Sequence, residues 1–233
     1  MLFRFFYLLL LYIAQESLLF AAGDIKISVN QEQITLPFWE APHTPGKGGI
    51  ILLQGGKPAG GSAFSKRLAA ELAASGWSVV LLNSDPQVKT PWLEQLPEVM
   101  STLRQHSSKR LIMIHYGDEV ELSLDYFFKP QSKQVNGLIL LSAFQSKPLP
   151  QKEKGPGGIL RFPVYEIYGQ FDYEAVKQNV RQFQQQLDRK PPSKILQIPG
   201  GSHDYDYSTP LLSNYLNGWM SHLQAIERAK SPL

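Results

Sequence analysis

The spacing of hydrophobic residues changes along the chain and predicts two half-buried strands followed by alternating buried strands and helices. Over 24–30 and 33–39, apolar and polar residues alternate, and the polar pair Gln31 and Glu32 predicts a hairpin turn between them. From Gly48 onward, short continuous apolar runs alternate with stretches in which apolar residues recur every three or four positions. The first kind predicts strands buried on both faces, and the second predicts helices.

This alternation predicts an α/β fold. The predicted strands after the hairpin cover 48–53, 77–83, 110–114, 135–142, 164–168 and 194–198. The predicted helices cover 62–75, 92–106, 120–128, 173–187 and 211–226. Such an order is typical of a three-layer sandwich, in which helices cover both faces of a mostly parallel sheet, here preceded by an antiparallel hairpin. The stretch 145–161 is too short for a cap domain.

Residues 1–23 have the pattern of a secretory signal peptide. One positive charge precedes an unbroken apolar run over 5–14, and small residues lead up to a cleavage point after Gly23. An uncleaved membrane anchor is the alternative, but three polar residues at 15–17 argue against a stable span of about 20 apolar residues. We therefore predict a cleaved signal peptide, a single domain over 24–233, and a periplasmic or secreted bacterial protein.

Composition narrows the classes of function that are open to this chain. Its 233 residues, 43% hydrophobic and 18% charged, are typical of one sizeable folded domain. The net charge of +3 is spread without Lys/Arg blocks, which disfavours a nucleic-acid partner. The chain has no cysteine, and this excludes disulfides, a thiolate nucleophile and cysteine-based zinc sites. We predict no cofactor.

Two turns, each at the end of a predicted strand, carry candidate acid–base chemistry. The strand 164–168 runs into Y-G-Q-F-D, which ends at Asp172. The strand 194–198 runs into P-G-G-S-H, which ends at His203. One helix and one strand lie between the carboxylate and the imidazole.

In the order of its elements and in these two turns, the chain resembles the α/β-hydrolase fold over residues 25–229. In that fold, the turns G-x-x-D and G-x-x-H carry the acid and the base of a Ser-His-Asp triad. The resemblance therefore implies that Asp172 is the acid and His203 the base. Two alternatives stay open: Asp172 caps the helix that follows it, and His203 is a loop histidine bonded to Asp204 or Asp206.

The chain departs from this fold at the position of the nucleophile. There the fold has a sharp strand-to-helix turn, G-x-S-x-G, whereas residues 115–119 read H-Y-G-D-E. Gly117 occupies the nucleophile position, where glycine tolerates a strained backbone but offers no nucleophilic atom. Several other serines are best interpreted as cap or turn residues: Ser62, Ser65, Ser142 and Ser202.

A shift of one residue would make Asp118 the nucleophile, as in the haloalkane dehalogenases with their G-x-D-x-G turn. Tyr116 and Val120 would then flank it in place of glycines, which disfavours close packing of the helix on the strand. We favour Asp118 as an N-cap for a helix over 119–128, beside the positive end of the helix dipole. Its charge, next to Glu119, would also oppose an oxyanion at this turn.

The loop after the first parallel strand is a candidate oxyanion site. In the fold, a backbone N–H from this loop, often within an H-G motif, contributes to the oxyanion hole. We assign Gln54, Gly55 and Gly56, together with Tyr116, as oxyanion or binding positions. The alternative for the glycine pair is a tight turn into Pro58.

Two further groups of residues gather near the same predicted edge of the sheet. The first contains potential metal ligands: His115, Asp118, Glu119, His203 and Asp204. No spacing signature supports a metal site there, and we predict none. The second contains aromatic residues: Trp92, Tyr116, Phe171, Tyr205 and Tyr207. These rings form either a platform for an apolar or sugar ligand or ordinary packing.

More narrowly, the chain is similar to an uncharacterised family of proteobacterial exported α/β-hydrolase-like proteins. The shared traits are the signal peptide, Gly76-Trp77 after the first helix, and the degenerate turn at 115–119. We therefore predict a pseudo-hydrolase that binds a small-molecule or protein ligand in its crevice. The alternative is an esterase-like hydrolase that uses Asp172 and His203 with a non-standard nucleophile or an activated water.

Overall fold

The computed structural model describes most of the predicted domain. The described residues are 23–42, 46–56, 61–83, 89–106, 110–129, 135–146, 162–186 and 193–223. All of the predicted signal peptide except Gly23 lies outside them, as do residues 147–161 and the last ten residues.

The strands of the described residues form one eight-stranded sheet. They are β1 (Gly23–Val29), β2 (Glu32–Trp39), β3 (Gly48–Gly55), β4 (Trp77–Asn83), β5 (Leu111–Gly117), β6 (Gly137–Leu141), β7 (Val164–Gly169) and β8 (Lys194–Ile198). Their order is β1-β2-β4-β3-β5-β6-β7-β8. The β1–β2 and β2–β4 pairs are antiparallel, and the remaining pairs are parallel. The mostly parallel sheet with an antiparallel hairpin at its start is therefore confirmed.

Helices cover both faces of this sheet. They are α1 (Gly61–Ala74), α2 (Trp92–Gln105), α3 (Val120–Phe128), α4 (Glu174–Gln186) and α5 (Thr209–Ser221). Ile51 and Leu53 of β3 belong to a buried cluster with α2, α3 and α4, whereas Ile50 and Leu52 belong to a second cluster with α1 and α5. Successive residues of a strand point to opposite faces, so these clusters are the two cores of a three-layer sandwich. The part of the chain that the structure describes contains no separate cap domain.

Several elements differ from their predicted bounds by a few residues, and the difference at β5 matters for the site. β5 continues past Ile114 to Gly117, because its last residues still pair with the end of β3, Gly55 opposite Gly117. The polar and glycine residues there interrupt the apolar run but not the backbone ladder. α5 begins at Thr209 rather than at 211, since Pro210 is tolerated in the first helical turn. Of the described helices, none combines the length and apolarity needed to span a bilayer.

Candidate active site

Asp172 and His203 meet at the carboxyl edge of the sheet. Asp172 follows β7 and His203 follows β8, and these strands are parallel neighbours. Nδ1 of His203 lies 2.7 Å from Oδ1 of Asp172. The two alternative acids in the same loop are engaged elsewhere: Asp204 accepts the hydroxyl of Tyr116, and Asp206 pairs with Arg67. The structure thus shows His203 in contact with Asp172 rather than with Asp204 or Asp206.

Asp172 is a buried carboxylate with a full set of donors. Besides His203, it accepts hydrogen bonds from the backbone N–H groups of Tyr173 (2.9 Å) and Gly169 (3.1 Å) and from the hydroxyl of Ser142. Burial by itself raises the pKa of Asp172, but these hydrogen bonds and the nearby His203 outweigh it and hold the pKa below its ordinary value. The ionised Asp172 therefore fixes the proton of neutral His203 on Nδ1. α4 begins at Glu174, so the bond to the N–H of Tyr173 precedes the helix, and Asp172 is not the N-cap that we considered as its alternative role.

His203 is surrounded by aromatic rings and keeps one nitrogen unengaged. Its ring stacks on Tyr173 at a centroid distance of 4.2 Å, with Tyr116 at 5.2 Å and Phe144 edge-on at 5.9 Å. Within the described residues, Nε2 has no hydrogen-bond partner. With the proton on Nδ1, this nitrogen presents a lone pair that can accept a hydrogen bond or a proton.

The turn at the end of β5 has the backbone of a strained elbow without a side chain at its tip. Gly117 has φ +87°, in the region that favours glycine. A Cβ built on Gly117 would lie 3.0 Å from the carbonyl oxygen of Gly55. A side chain at this position would therefore face the carbonyl of the neighbouring loop.

His115 clamps this turn from inside the protein. It is fully buried, Nε2 lies 2.7 Å from the carbonyl oxygen of Asp118, and Nδ1 lies 2.6 Å from the hydroxyl of Ser123. Burial lowers the pKa of His115 to about 4, although the hydrogen bond and charge of Asp118 oppose the shift. His115 is therefore neutral at pH 7, donates to Asp118 through Nε2–H, and accepts from Ser123.

Asp118 is not the N-cap that we predicted. α3 begins at Val120, and Glu119 occupies the cap position with φ +68°. The carboxylate of Asp118 instead accepts the N–H of Glu119 (2.7 Å) and both the N–H (2.8 Å) and the hydroxyl of Ser146. Gly117 and Glu119, on either side of Asp118, both have positive φ, and this backbone turns Asp118 toward the loop after β6. With both oxygens engaged, this carboxylate is poorly placed to act as a nucleophile.

The predicted oxyanion residues pack against the same turn. A Cβ on Gly55 would collide with the carbonyl oxygen of Asp118, and one on Gly56 would lie 2.8 Å from Cβ of Asp118. The glycine pair is therefore required for the close approach of the β3 loop and the β5 turn. The side chain of Gln54 is buried and accepts the hydroxyl of Ser65 from α1 at 3.1 Å.

The predicted aromatic group divides into core and surface residues. Trp92, Tyr116 and Tyr205 are buried, whereas Phe171 and Tyr207 are 69% and 102% exposed. Tyr116 donates its hydroxyl to Asp204 at 3.1 Å, and burial together with the charge of Asp204 raises its pKa. Tyr116 is therefore protonated, and its ring lines the site. The exposed ring of Phe171 belongs to the turn that carries Asp172 (the acid turn). The exposed ring of Tyr207 belongs to the loop that carries His203 (the histidine loop). No cluster of three potential metal ligands occurs among the described residues.

Sequence reasoning missed the roles of three residues. His115 bonds the backbone carbonyl of Asp118 in the elbow, Ser142 contacts Asp172, and Tyr205 contacts Ser142 at 2.6 Å. Only the position of Ser142 at the end of a strand, and that of Tyr205 two residues after His203, hinted at this.

Known structures show which fold this is. An esterase domain from Rhodothermus marinus has a TM-score of 0.68 at 11% identity and covers 87% of this chain and 99% of its own. A serine hydrolase homologue from Coxiella burnetii has a TM-score of 0.62 at 16% identity, covering 84% and 96%. An α/β serine hydrolase without a lid from Xanthomonas campestris has a TM-score of 0.61 at 15% identity, covering 88% and 97%.

The chain therefore has the α/β-hydrolase fold. Identities this low show the fold and not the activity. No protein-family model and no curated protein matches the sequence.

We expect the substitution Gly117→Ala to destabilise the fold by about 1–3 kcal/mol. An alanine is strained at this positive φ, and its Cβ would lie close to the carbonyl oxygen of Gly55. Gly200→Ala is the matched control: φ is +69°, but its Cβ would meet nothing within 4 Å. Urea unfolding should show the smaller loss, about 1 kcal/mol, for the control. Equal losses would mean that the Gly55 carbonyl does not restrict this position.

We expect His115 to make the protein less stable in acid. Its pKa is about 4 in the folded state, against an ordinary value near 6.5. The unfolded chain therefore takes up the proton first as the pH falls below about 6.5, and stability drops by about 3 kcal/mol in total before folded His115 also protonates near pH 4.

Urea unfolding of His115→Gln between pH 7 and pH 4 should accordingly show a flatter pH dependence than the parent. His222→Gln, at an exposed position after α5, should leave the slope of the parent unchanged. A parental slope in His115→Gln would contradict the assignment.

Proposed function

We propose that this protein is a pseudo-hydrolase that binds a small-molecule or protein ligand in the crevice around His203. The observation that carries the proposal is the turn at Gly117, which has no side chain and faces the carbonyl of Gly55. In an acyl-transfer site this place holds a nucleophile beside hydrogen-bond donors, and a carbonyl oxygen would repel a developing oxyanion.

The polar groups around the turn support the same proposal. The hydroxyls of Ser65, Ser123, Ser142 and Ser146 are engaged with Gln54, His115, Asp172 and Asp118 respectively. Among the described residues, none supplies a hydroxyl to Nε2 of His203. The His203 base therefore lacks the partner that it would activate in a serine hydrolase.

The surviving pair gives the crevice a defined chemistry for binding. Nε2 of His203 can accept a hydrogen bond, and the exposed ring of Tyr173, which stacks on the imidazole, offers an apolar face beside it. A ligand that presents a hydroxyl or N–H donor next to a flat apolar group satisfies both features. These features do not select for the charge of a ligand. We therefore propose only that the ligand carries a hydrogen-bond donor and a flat apolar group.

A second candidate is an esterase-like hydrolase, which the intact Asp172–His203 pair and the esterase neighbours favour. Nε2 of His203 would take a proton from water, and the resulting hydroxide would attack the acyl carbon. The same nitrogen would then return the proton to the leaving alkoxide, giving a carboxylic acid and an alcohol. The Gly55 carbonyl at the turn weighs against this candidate, because the oxyanion would form close to it.

The decisive test combines turnover with covalent labelling. We expect the parent and His203→Ala to hydrolyse nitrophenyl esters of short and medium chain length at the same low rate. We also expect neither protein to be labelled by a fluorophosphonate, which reacts with activated serines and should label a serine esterase run alongside. Turnover that falls by about 100-fold or more in His203→Ala would instead establish the hydrolase. A labelled peptide would then identify the nucleophile.

We further propose that the protein is exported, as a member of the proteobacterial exported family that it resembles. The support is the signal-peptide pattern of residues 1–23. Expressed in a bacterium with a C-terminal tag, the full chain should yield a periplasmic or secreted product that begins at Asp24 by N-terminal sequencing. A product that retains Met1 in the membrane fraction would favour the anchor instead.

A further inference from the structure

Two buried hydroxyls continue the Asp172–His203 pair into the core. The hydroxyl of Ser142 contacts Oδ2 of Asp172, and the hydroxyl of Tyr205 lies 2.6 Å from that of Ser142. A carboxylate can only accept, and a serine hydroxyl has a single proton. Ser142 therefore donates to Asp172, and Tyr205 donates to Ser142.

Both hydroxyls are carried by residues with an unfavourable backbone. Ser142 has φ +44° and Tyr205 has φ +48°, which are uncommon values for residues with a side chain. Both residues are fully buried. Strained residues persist where surrounding contacts hold them, and here the two strained residues contact each other and the carboxylate of the site.

The four residues join the ends of three consecutive strands. Ser142 follows β6, Asp172 follows β7, and His203 and Tyr205 lie in the loop after β8. His203 and Tyr205 are two residues apart in one loop, so the contacts close a ring. His203 of the loop contacts Asp172, Asp172 contacts Ser142, and Ser142 contacts Tyr205 of the same loop. The loop is therefore fixed at two points relative to Asp172.

The protonation states suit this arrangement. Burial and the negative charge of Asp172 raise the pKa of Tyr205, so its hydroxyl stays a donor at neutral pH. The Ser142 hydrogen bond is one of the contacts that lower the pKa of Asp172. Tyr205 therefore stays protonated and can donate to Ser142, and Asp172 stays ionised and can accept from Ser142 and His203.

We propose that Ser142 and Tyr205 are positioning residues of the candidate site, which orient Asp172 so that neutral His203 carries its proton on Nδ1 and offers Nε2 to a ligand. The proposal rests on the proposed function only in taking Nε2 as the ligand-contacting atom. If the two hydroxyls served only to stabilise the core, removing them would lower the stability of the protein without changing the tautomer of His203.

The test measures the tautomer of His203 directly. Long-range proton–nitrogen NMR spectra of the mature protein at pH 8 report the ratio of the Nδ1–H to the Nε2–H form of each histidine. We expect Tyr205→Phe and Ser142→Ala each to lower that ratio for His203 by about threefold or more, the change that a hydrogen bond of ordinary net strength produces. Ser142→Gly, which also relieves the positive φ, replaces Ser142→Ala if that variant does not fold.

Two control variants remove buried hydroxyls elsewhere. Tyr165→Phe and Ser213→Ala each delete a hydroxyl from a residue that is at most 5% exposed, and neither residue contacts Asp172. Both should leave the His203 ratio unchanged. Tyr205→Phe should add little to Ser142→Ala in the double variant, because Tyr205 acts through Ser142.

An unchanged His203 ratio in folded Tyr205→Phe and folded Ser142→Ala or Ser142→Gly would overturn the positioning role. An equal change in the controls would also overturn it, since the effect would then be general loosening of the core. These outcomes are independent of ester turnover: an active parent with a changed His203 ratio would refute the pseudo-hydrolase proposal and leave the positioning role intact.

Discussion

The close approach of two loops at the ends of β7 and β8 is the contact on which the site depends. A Cβ on Gly169 would collide with the carbonyl oxygen of Gly201, so only glycine lets the acid turn lie against the histidine loop. The N–H of Phe171 then donates to the same carbonyl at 2.8 Å, which fixes the two loops in register. Asp172 and His203 reach hydrogen-bond distance because of this backbone contact, whatever the chemistry of the site.

The fold and the Asp172–His203 contact were predictable because their signals are local. Apolar runs and helical periods located the described strands and helices, and two turns after strands pointed to Asp172 and His203. Contacts that depend on three-dimensional register were not predictable. The partner of Asp118 is Ser146, 28 residues away, and Ser142 meets Tyr205 across 63 residues. Neither pair leaves a spacing signal in the sequence.

The solved neighbours and this chain share a scaffold, and in this chain the turn after β5 departs from the G-x-S-x-G motif. The neighbours are named as esterases and serine hydrolases, whereas here the turn combines a bare Gly117, an engaged Asp118 and a buried His115. His115 and Glu119 occupy the positions of the two motif glycines, and both bond to neighbouring groups. The departure from the motif is therefore an organised local structure rather than a single missing hydroxyl.

Tyr205 links the histidine loop to the centre of the protein. Its ring packs at 5.5 Å from Phe64 of α1, which in turn lies 4.9 Å from Tyr116 beside His203. The loop cannot swing outward without pulling a large aromatic residue from a close-packed interior. The loop is thus preorganised: a ligand bound beside His203, as we propose, would lose little free energy to loop ordering.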